Sequence, residues 1–383
     1  MNFQFNTVKN ILFGVHKATE LSAIIQQDFD AKNIFIVTDS GISASGLLTP
    51  VLEGLSRHHQ VLVFSDVVAD PPEQTVLDCL ELAKNFAADL VVGFGGGSSM
   101  DTAKLIAVLL GTDQSLSDMY GVDQVTDDRK IPLILVPTTA GTGSEVTPIS
   151  IVTTGETTKM GVVSSRLYAD MAVLDPSLTL GLPHAVTAAT GIDAMVHAIE
   201  AFTSKYKKNP VSDMCARQAL VLLRRGLPRV LADGSDLEAR SDMLLGAMLA
   251  GQAFANAPVA AVHALAYPIG GIFHVSHGLS NALVLPSVLR FNASVAAPLY
   301  ASLAELFDPA ATGGDMEMSE RFICELEHLI DISGIETRLS QLGIGSESLE
   351  QLAEDAMLQT RLLQNNPRDV SYDDALSIYE TIL

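Results

Sequence analysis

The chain has 383 residues, which is long enough for two domains that each bury a core. Its formal net charge of -22 at pH 7 would repel nucleic acids and anionic membrane surfaces, so we expect neither as a partner. The sequence contains no uninterrupted apolar run of membrane-spanning length and no basic, then apolar, signal-peptide pattern at its start. We therefore expect a soluble, cytoplasmic protein.

The first half of the chain alternates strand-like and helix-like segments. Apolar runs of strand length, several of them rich in β-branched residues, are typical of buried parallel strands. Helical segments such as 72–88 and 100–111 separate them, and this alternation predicts a parallel sheet covered by helices. The strand-like runs are 33–39, 60–67, 88–95 and 131–138.

The pattern changes in the segment LTLGLPH, residues 178–184, where a glycine and a proline interrupt it. Long helical segments rich in Ala, Leu and Met follow, and strand signals nearly vanish. The sequence therefore predicts an α/β domain over residues 1–182 and an all-helical domain over residues 183–383.

The stretch VVGFGGGSSMDTAK, residues 91–104, runs from a predicted strand through three glycines into a predicted helix. Ser98 and Asp101 have the spacing of a helix capping box. Free backbone N–H groups at such a helix start suit a pyrophosphate, although a tight turn that uses glycine for geometry alone fits the same letters. The glycines are Gly95, Gly96 and Gly97.

A second polar loop, PTTAGTGSEVT at residues 137–147, follows the predicted strand 131–138. Open α/β sheets bind ligands at the carboxyl ends of their strands, so we expect both loops to face one crevice. Asp39 ends an earlier strand and could accept a hydrogen bond from a ribose 2′-OH, or could simply occupy a turn. Since this acid precedes the glycine loop, the pattern indicates a variant of the Rossmann arrangement.

The helical half contains ATGIDAMVHAIEAF, residues 189–202. Asp193 and His197 lie one turn apart, on a polar stripe with Thr190 and Glu200 beside the apolar stripe. An acid and an imidazole at this spacing form either a solvated helix-stabilising pair or two ligands of one metal ion.

A second segment, residues 262–286, carries His263, His274 and His277 within fifteen residues. A carboxylate with several imidazoles is a donor set suited to Fe(II), Zn(II), Mn(II) or Co(II). The two segments together favour the metal-site hypothesis over the solvated pair.

These motifs resemble those of the iron-containing, group III alcohol dehydrogenases, including lactaldehyde reductase-like and 1,3-propanediol dehydrogenase-like members. The resemblance rests on residues 175–202 and 263–278, on GGGSSMDTAK, on PTTAGTGSEVT, and on LLQNNPR at residues 362–368. It covers almost the full chain and implies a dehydroquinate synthase-like fold with a Rossmann-like dinucleotide-binding domain and an all-α metal-binding domain.

The resemblance also implies roles for individual residues. The metal ligands would be Asp193, His197, His263 and His277, with Fe(2+) as the first choice and Zn(2+) or another divalent ion as the alternative. The residues that bind NAD would be Asp39, Gly95, Gly96, Gly97, Ser98, Thr138, Thr139 and Thr142, with Lys159 nearby.

Tyr267 departs from the family pattern, since many members have a histidine at this position. The phenol would either donate a hydrogen bond to the substrate or serve only as a packing residue. His274 has no ligand role that the resemblance carries over.

The implied activity is NAD-dependent interconversion of a small primary alcohol or diol with its aldehyde, by a homodimer or higher homo-oligomer. A hydroxyacid–oxoacid transhydrogenase of the same fold and a non-catalytic metal- and nucleotide-binding protein are the alternatives.

Overall fold

The structure is a computed structural model that describes residues 2–155 and 158–383. The described chain forms two compact units, one built mainly from Asn6–Thr139 and Gly143–Leu180 and the other mainly from Gly181–Leu383 with the short segment Ala140–Thr142.

The first unit is an α/β structure around a six-stranded sheet in the order β1-β9-β6-β4-β2-β3. Every strand pair in this sheet is parallel. A three-stranded sheet, β5-β8-β7, accompanies it. The strands are β1 Asn10–Phe13, β2 Asn33–Asp39, β3 Gln60–Val67, β4 Leu90–Gly95, β5 Gly121–Val122, β6 Leu133–Pro137, β7 Ile149–Thr154, β8 Thr158–Val163 and β9 Met171–Leu174.

Five helices connect the strands of this unit. They are α1 Leu21–Asp28, α2 Ser40–Ser45, α3 Thr49–Leu55, α4 Glu73–Asn85 and α5 Gly97–Leu109.

The near-continuous apolar runs form the central strands, because both faces of a parallel sheet are covered. Every residue of β4 and β6 is buried, and so are the five middle residues of β2. One face packs a core that includes Ile34, Ile36, Val92, Ile134 and Val136. The parallel sheet predicted from the sequence is confirmed, with β1 and β9 added at one side.

The strand order brings the carboxyl ends of β2, β4 and β6 next to one another. These ends lead into Asp39, the glycine loop and Thr138 respectively. Asp39, the glycine loop and Thr138 therefore lie together at the carboxyl ends of these three strands.

The second unit is helical. Its helices are α6 His184–Thr203, α7 Pro210–Ala232, α8 Leu237–Asn256, α9 Ala261–Phe273, α10 His277–Phe307, α11 Asp315–Ser333, α12 Leu349–Met357, α13 Thr360–Leu363 and α14 Tyr372–Thr381.

Helices α6 and α10 form the centre of the helical unit, and both contact α7 and α11. By length and composition α10 could cross a membrane, but 56% of its most apolar window is buried within the protein. Core helices of folded proteins have the same composition, so α10 is read as the long core helix of this unit.

Candidate metal centre and nucleotide-binding loop

The polar stripe of α6 is buried, not solvated. Asp193 is 2% exposed and His197 4%. The interpretation of Asp193 and His197 as a solvated helix-stabilising pair is therefore wrong. A carboxylate is almost never buried without partners, so its surroundings must compensate for the lost hydration.

Four side chains from three helices converge in this unit. Asp193 and His197 come from α6, His263 from α9, and His277 from the first position of α10. One ligand atom from each lies within 4.8 Å of the other three. The Asp193 Oδ1 atom is 3.6 Å from Nε2 of His277 and 4.0 Å from Nε2 of His197.

Close backbone packing brings the start of α10 against α6. A Cβ atom on Gly278 would lie only 2.4 Å from the carbonyl oxygen of Ala189, so a larger residue would push the two helices apart. The imidazole rings then pack together, with centroid distances of 4.8 Å between His197 and His263 and 5.2 Å between His263 and His277.

The charges of the cluster suit a cation. Burial lowers the pKa of His197 from 6.5 to about 3, although the nearby Asp193 carboxylate opposes this shift. Burial alone would raise the pKa of Asp193, but His197, His277, His263 and the Asn281 amide together hold it below its ordinary value. At neutral pH the site thus presents an ionised carboxylate and a neutral His197, which are the forms that bind metal.

The geometry fits a divalent ion of the first transition series. Ligand atoms about 2.1 Å from a tetrahedrally coordinated ion are about 3.4 Å apart, close to the separations seen between Asp193 and the two imidazoles. The amide of Asn281 lies within the cluster, where its Nδ2 donates to Asp193 Oδ1 at 2.6 Å. Its Oδ1 is buried without a hydrogen-bond partner. Asp193, His197, His263 and His277 would hold the metal.

Tyr267 and His274 differ in their relation to this cluster. Tyr267 is partly buried, with its ring centroid 6.5 Å from that of His263 and 6.0 Å from that of His277. His274 is exposed in a left-handed conformation just after α9. The structure thus places Tyr267 beside the candidate metal centre and His274 outside the four-residue cluster.

In the first unit the glycine loop joins β4 to α5. A Cβ atom on Gly95 would lie 2.7 Å from the Ser99 hydroxyl and 3.4 Å from Oδ2 of Asp39. Gly96 is the N-cap of α5, and Gly97 is its first residue. The backbone N–H groups at the start of this helix make a site suited to a phosphate.

The two carboxylate oxygens of Asp39 have different neighbours. Its Oδ1 accepts a hydrogen bond from the backbone of Ile42 at 3.0 Å, which caps α2, and its other oxygen lies against the glycine loop. The turn role and the candidate ribose role are therefore compatible.

The capping box predicted for Ser98 and Asp101 is wrong. Since α5 already begins at Gly97, Ser98 lies inside the helix and does not cap it. The Asp101 carboxylate instead accepts from the Ser144 hydroxyl at 2.6 Å and from the Ile151 backbone at 3.0 Å. It connects the glycine-loop helix to the second polar loop and to β7.

Lys104 is a buried structural residue that was not predicted from the sequence. Its fully buried ammonium donates to Asp101 at 3.1 Å, Ser144 at 2.7 Å, Thr147 at 3.1 Å and the Ile149 carbonyl at 2.6 Å. A lysine on the apolar side of the helix after the glycine loop was the available signal. It ties α5 to the second polar loop and to Ile149, the first residue of β7.

The other predicted cofactor residues are spread over this region. Thr138 is buried, and its N–H donates to the Gly95 carbonyl at 3.0 Å. Thr139 lies beside Gly96. Thr142 belongs to the short segment grouped with the helical unit. Lys159, on β8, pairs with Asp70 at 2.9 Å.

A parallel sheet with a glycine loop at a helix start, followed by a helical unit with a buried carboxylate and three imidazoles, is the architecture of a metal-dependent, dinucleotide-using oxidoreductase. Comparison with known proteins narrows this class. The model of the iron-containing alcohol dehydrogenase family matches residues 9–176, and the model of the C-terminal region of the Fe-containing alcohol dehydrogenase family matches residues 187–383.

Individual proteins agree with these matches. The chain is 43% identical to long-chain-alcohol dehydrogenase 1 of Geobacillus thermodenitrificans, over 91% of this chain and 89% of that one. It matches the crystal structure of a 1,3-propanediol oxidoreductase with a TM-score of 0.96 at 33% identity, over 100% of both chains. It matches sulfoacetaldehyde reductase from Bifidobacterium kashiwanohense in complex with NAD+ with a TM-score of 0.90 at 28% identity, over 100% of this chain and 99% of that one.

The chain therefore belongs to the iron-containing alcohol dehydrogenase family, and it is an oxidoreductase. The family resemblance and the fold class expected from the sequence are confirmed.

Proposed function

We propose that the chain is an NAD-dependent, divalent-metal-requiring dehydrogenase that interconverts a small primary alcohol or diol with its aldehyde. The observation that carries this proposal is the buried cluster of Asp193, His197, His263 and His277, with four ligand atoms within 4.8 Å of one another. The NAD+ complex of the sulfoacetaldehyde reductase supports the cofactor. Fe(2+) is the metal that the family name favours, with Zn(2+) as the alternative.

The chain's own residues act by binding and orienting. The backbone of Gly95, Gly96, Gly97 and Ser98 would receive the pyrophosphate, and Asp39 would accept a hydrogen bond from the adenosine ribose. Bound NAD(H) would supply the hydride chemistry, and a bound divalent ion would supply Lewis acidity toward the substrate oxygen.

Tyr267 would face the substrate beside the ligands His263 and His277. Its phenol is a hydrogen-bond donor and acceptor, and it occupies space that a smaller side chain would leave open. We assign it a role in substrate choice and not in metal binding.

We further propose that residues 1–182 and 183–383 act as cofactor and metal domains, and that the enzyme is a cytoplasmic homodimer or higher homo-oligomer. The two family models meet close to this division. The free cysteines Cys79, Cys215 and Cys324 support a reducing compartment. Light scattering should give at least twice the 40.7 kDa mass of one chain, and the mass of a single chain would contradict the oligomer.

The direct test is NADH oxidation across a panel of aldehydes by protein stripped of metal and then reloaded with Fe(2+) or Zn(2+). We expect turnover with free NADH only after reloading, and loss of that turnover in His277→Ala. Turnover that requires an oxoacid together with a hydroxyacid, and that ignores free NADH, would favour the transhydrogenase alternative. Absence of turnover and of metal binding would contradict the proposal.

A further inference from the structure

Glu200 lies on α6, one turn beyond His197, and is 3% exposed. Its Oε2 is 2.6 Å from Nδ1 of His263, and its Oε1 accepts a hydrogen bond from the backbone N–H of Val262 at 2.7 Å. Both oxygens of this buried carboxylate are therefore engaged with two consecutive residues of α9.

The two nitrogens of His263 face different neighbours. Nδ1 faces Glu200, while Nε2 lies 3.3 Å from the Asn281 amide that also contacts Asp193. Nε2 is thus the nitrogen on the side of the metal cluster. A neutral imidazole can offer Nε2 to a metal only when its proton is on Nδ1, and a carboxylate oxygen 2.6 Å from Nδ1 favours that tautomer.

Glu200 also replaces a missing helix cap. The N-cap of α9 is Ala260, which has no side-chain acceptor for the first N–H groups of the helix. The Glu200 carboxylate satisfies the Val262 N–H and places a negative charge at the positive end of α9. The Glu200 side chain thereby fixes both the start of α9 and the orientation of the His263 ring.

We propose that Glu200 is a positioning residue that holds His263 in the Nδ1–H tautomer and in the ring orientation that metal binding requires. This inference rests on the metal site of the proposed function. It extends the site beyond its four ligands, because helix α6 then supplies two ligands and the residue that orients a third.

The hydrogen bonds make Glu200→Gln an informative change. Both neighbours, the Val262 N–H and the Nδ1–H of His263, need an acceptor, whereas an amide presents one acceptor and one donor. If the glutamine oxygen stays with Val262, its NH2 group faces Nδ1 and drives the proton of His263 to Nε2. That tautomer cannot bind the metal, although the size of the side chain is almost unchanged.

The experiment measures three properties of wild type and Glu200→Gln: zinc affinity by competition with a chromogenic chelator, thermal stability of the metal-free protein, and the histidine ¹⁵N NMR spectrum. His263→Ala assigns the His263 signals. Asp242→Asn is the matched control, because Asp242 is a buried carboxylate of the same unit that pairs with Arg225 at 2.6 Å.

We expect Glu200→Gln to bind zinc roughly 10- to 100-fold more weakly than wild type, and its metal-free form to carry the His263 proton on Nε2. Asp242→Asn should keep wild-type zinc affinity whatever its stability. Wild-type zinc affinity in a folded Glu200→Gln protein would overturn the inference, and so would lower stability with unchanged affinity.

The wild-type spectrum tests the inference even if the variant does not fold, since a metal-free wild type with the His263 proton on Nε2 would contradict it. A wild type that binds no zinc at all would instead contradict the proposed function.

Discussion

The two units bury charge in opposite ways. Lys104 in the sheet unit is fully buried, but four oxygen atoms surround its ammonium at 2.6 to 3.1 Å. In the helical unit, a carboxylate and three imidazoles turn their ligand atoms toward a common point. Acceptor atoms that converge in this way repel one another unless a cation or a donor lies among them.

The two clusters have different roles: the Lys104 cluster is structural, and the Asp193 cluster is a candidate ligand set. The Lys104 cluster is satisfied by residues of the chain and joins α5 to the second polar loop and β7 within the sheet unit. The Asp193 cluster has the arrangement of a ligand set that a metal ion would complete. Substitutions should therefore affect stability at the first cluster and metal binding at the second.

The largest effect is expected from His277→Ala. Loss of one imidazole should remove the bound metal and lower kcat by at least about 10³-fold, because Lewis-acid stabilisation is worth several kcal/mol. NADH binding, measured by fluorescence titration, should persist. Full metal content and activity in this variant would show that the cluster is not the metal site.

Lys104→Met should lower stability and leave metal binding unchanged. The apolar side chain fits the buried stem but leaves Asp101 and two hydroxyls without their ammonium donor, which should cost about 2–3 kcal/mol of unfolding free energy. Urea denaturation measures this loss. Metal content per folded chain should stay at the wild-type value. A loss of metal without a loss of stability would contradict the structural role of the Lys104 cluster.

Glu145, a buried residue of the second polar loop next to Ser144, gives the stability of the sheet unit a pH dependence. Burial raises the pKa of this carboxyl from 4.5 to about 7, although Lys104 opposes the shift. Because the folded protein holds this proton more tightly than the unfolded chain, the contribution of Glu145 to stability falls as pH rises from about 4.5 to about 7.

Glu145→Gln should reduce the fall in unfolding free energy between about pH 4.5 and about pH 7 by about 2 kcal/mol. Urea midpoints measured at pH 5 and pH 8 for both proteins provide the check. An identical difference between the two pH values in wild type and variant would contradict this account.

Asp39→Asn should narrow the preference for NADH over NADPH by about tenfold, since a carboxylate near a 2′-phosphate costs about 1 kcal/mol or more. Asparagine still accepts the Ile42 N–H, so the cap of α2 is kept. Asp39→Gly, which loses both cap and charge, should narrow the preference similarly. A wild type with higher kcat/KM for NADPH, or variants with unchanged preference, would contradict the role of Asp39.

The smallest effect is expected at Tyr267. Tyr267→Phe should leave metal content unchanged and alter kcat/KM unequally, by about tenfold or less, across alcohols of different length and polarity. Tyr267→His should shift the preference toward small diols. If both variants matched wild type on every substrate, Tyr267 would be a packing residue, and metal loss in Tyr267→Phe would contradict its assignment altogether.

The sequence predicted the central strands because they rest on local patterns, whereas the set of four candidate ligands came from the family resemblance. Apolar runs identified β2, β3, β4 and β6 to within about two residues, and the helix 189–202 lies inside α6. Strands β1 and β9 have four residues each and pair across about 160 residues of chain. Strands this short show no local pattern from which they could be predicted.

Burial and long-range contact explain what the sequence did not predict. Glu200 shares the polar stripe of α6 with Asp193, but nothing in that stripe shows that it faces α9 instead of solvent. In the sequence Lys104 looks like an ordinary helix residue, because its partners in segment 144–149 are distant along the chain. The error at Ser98 arose because the glycine run itself begins α5, whose N-cap is Gly96, two residues before Ser98.

Anomalous diffraction from a crystal of the zinc-loaded protein tests the central claim most directly. We predict one strong peak per chain, about 2.0–2.2 Å from one ligand atom each of Asp193, His197, His263 and His277. Zinc bound elsewhere, with these four side chains uncoordinated, would contradict it.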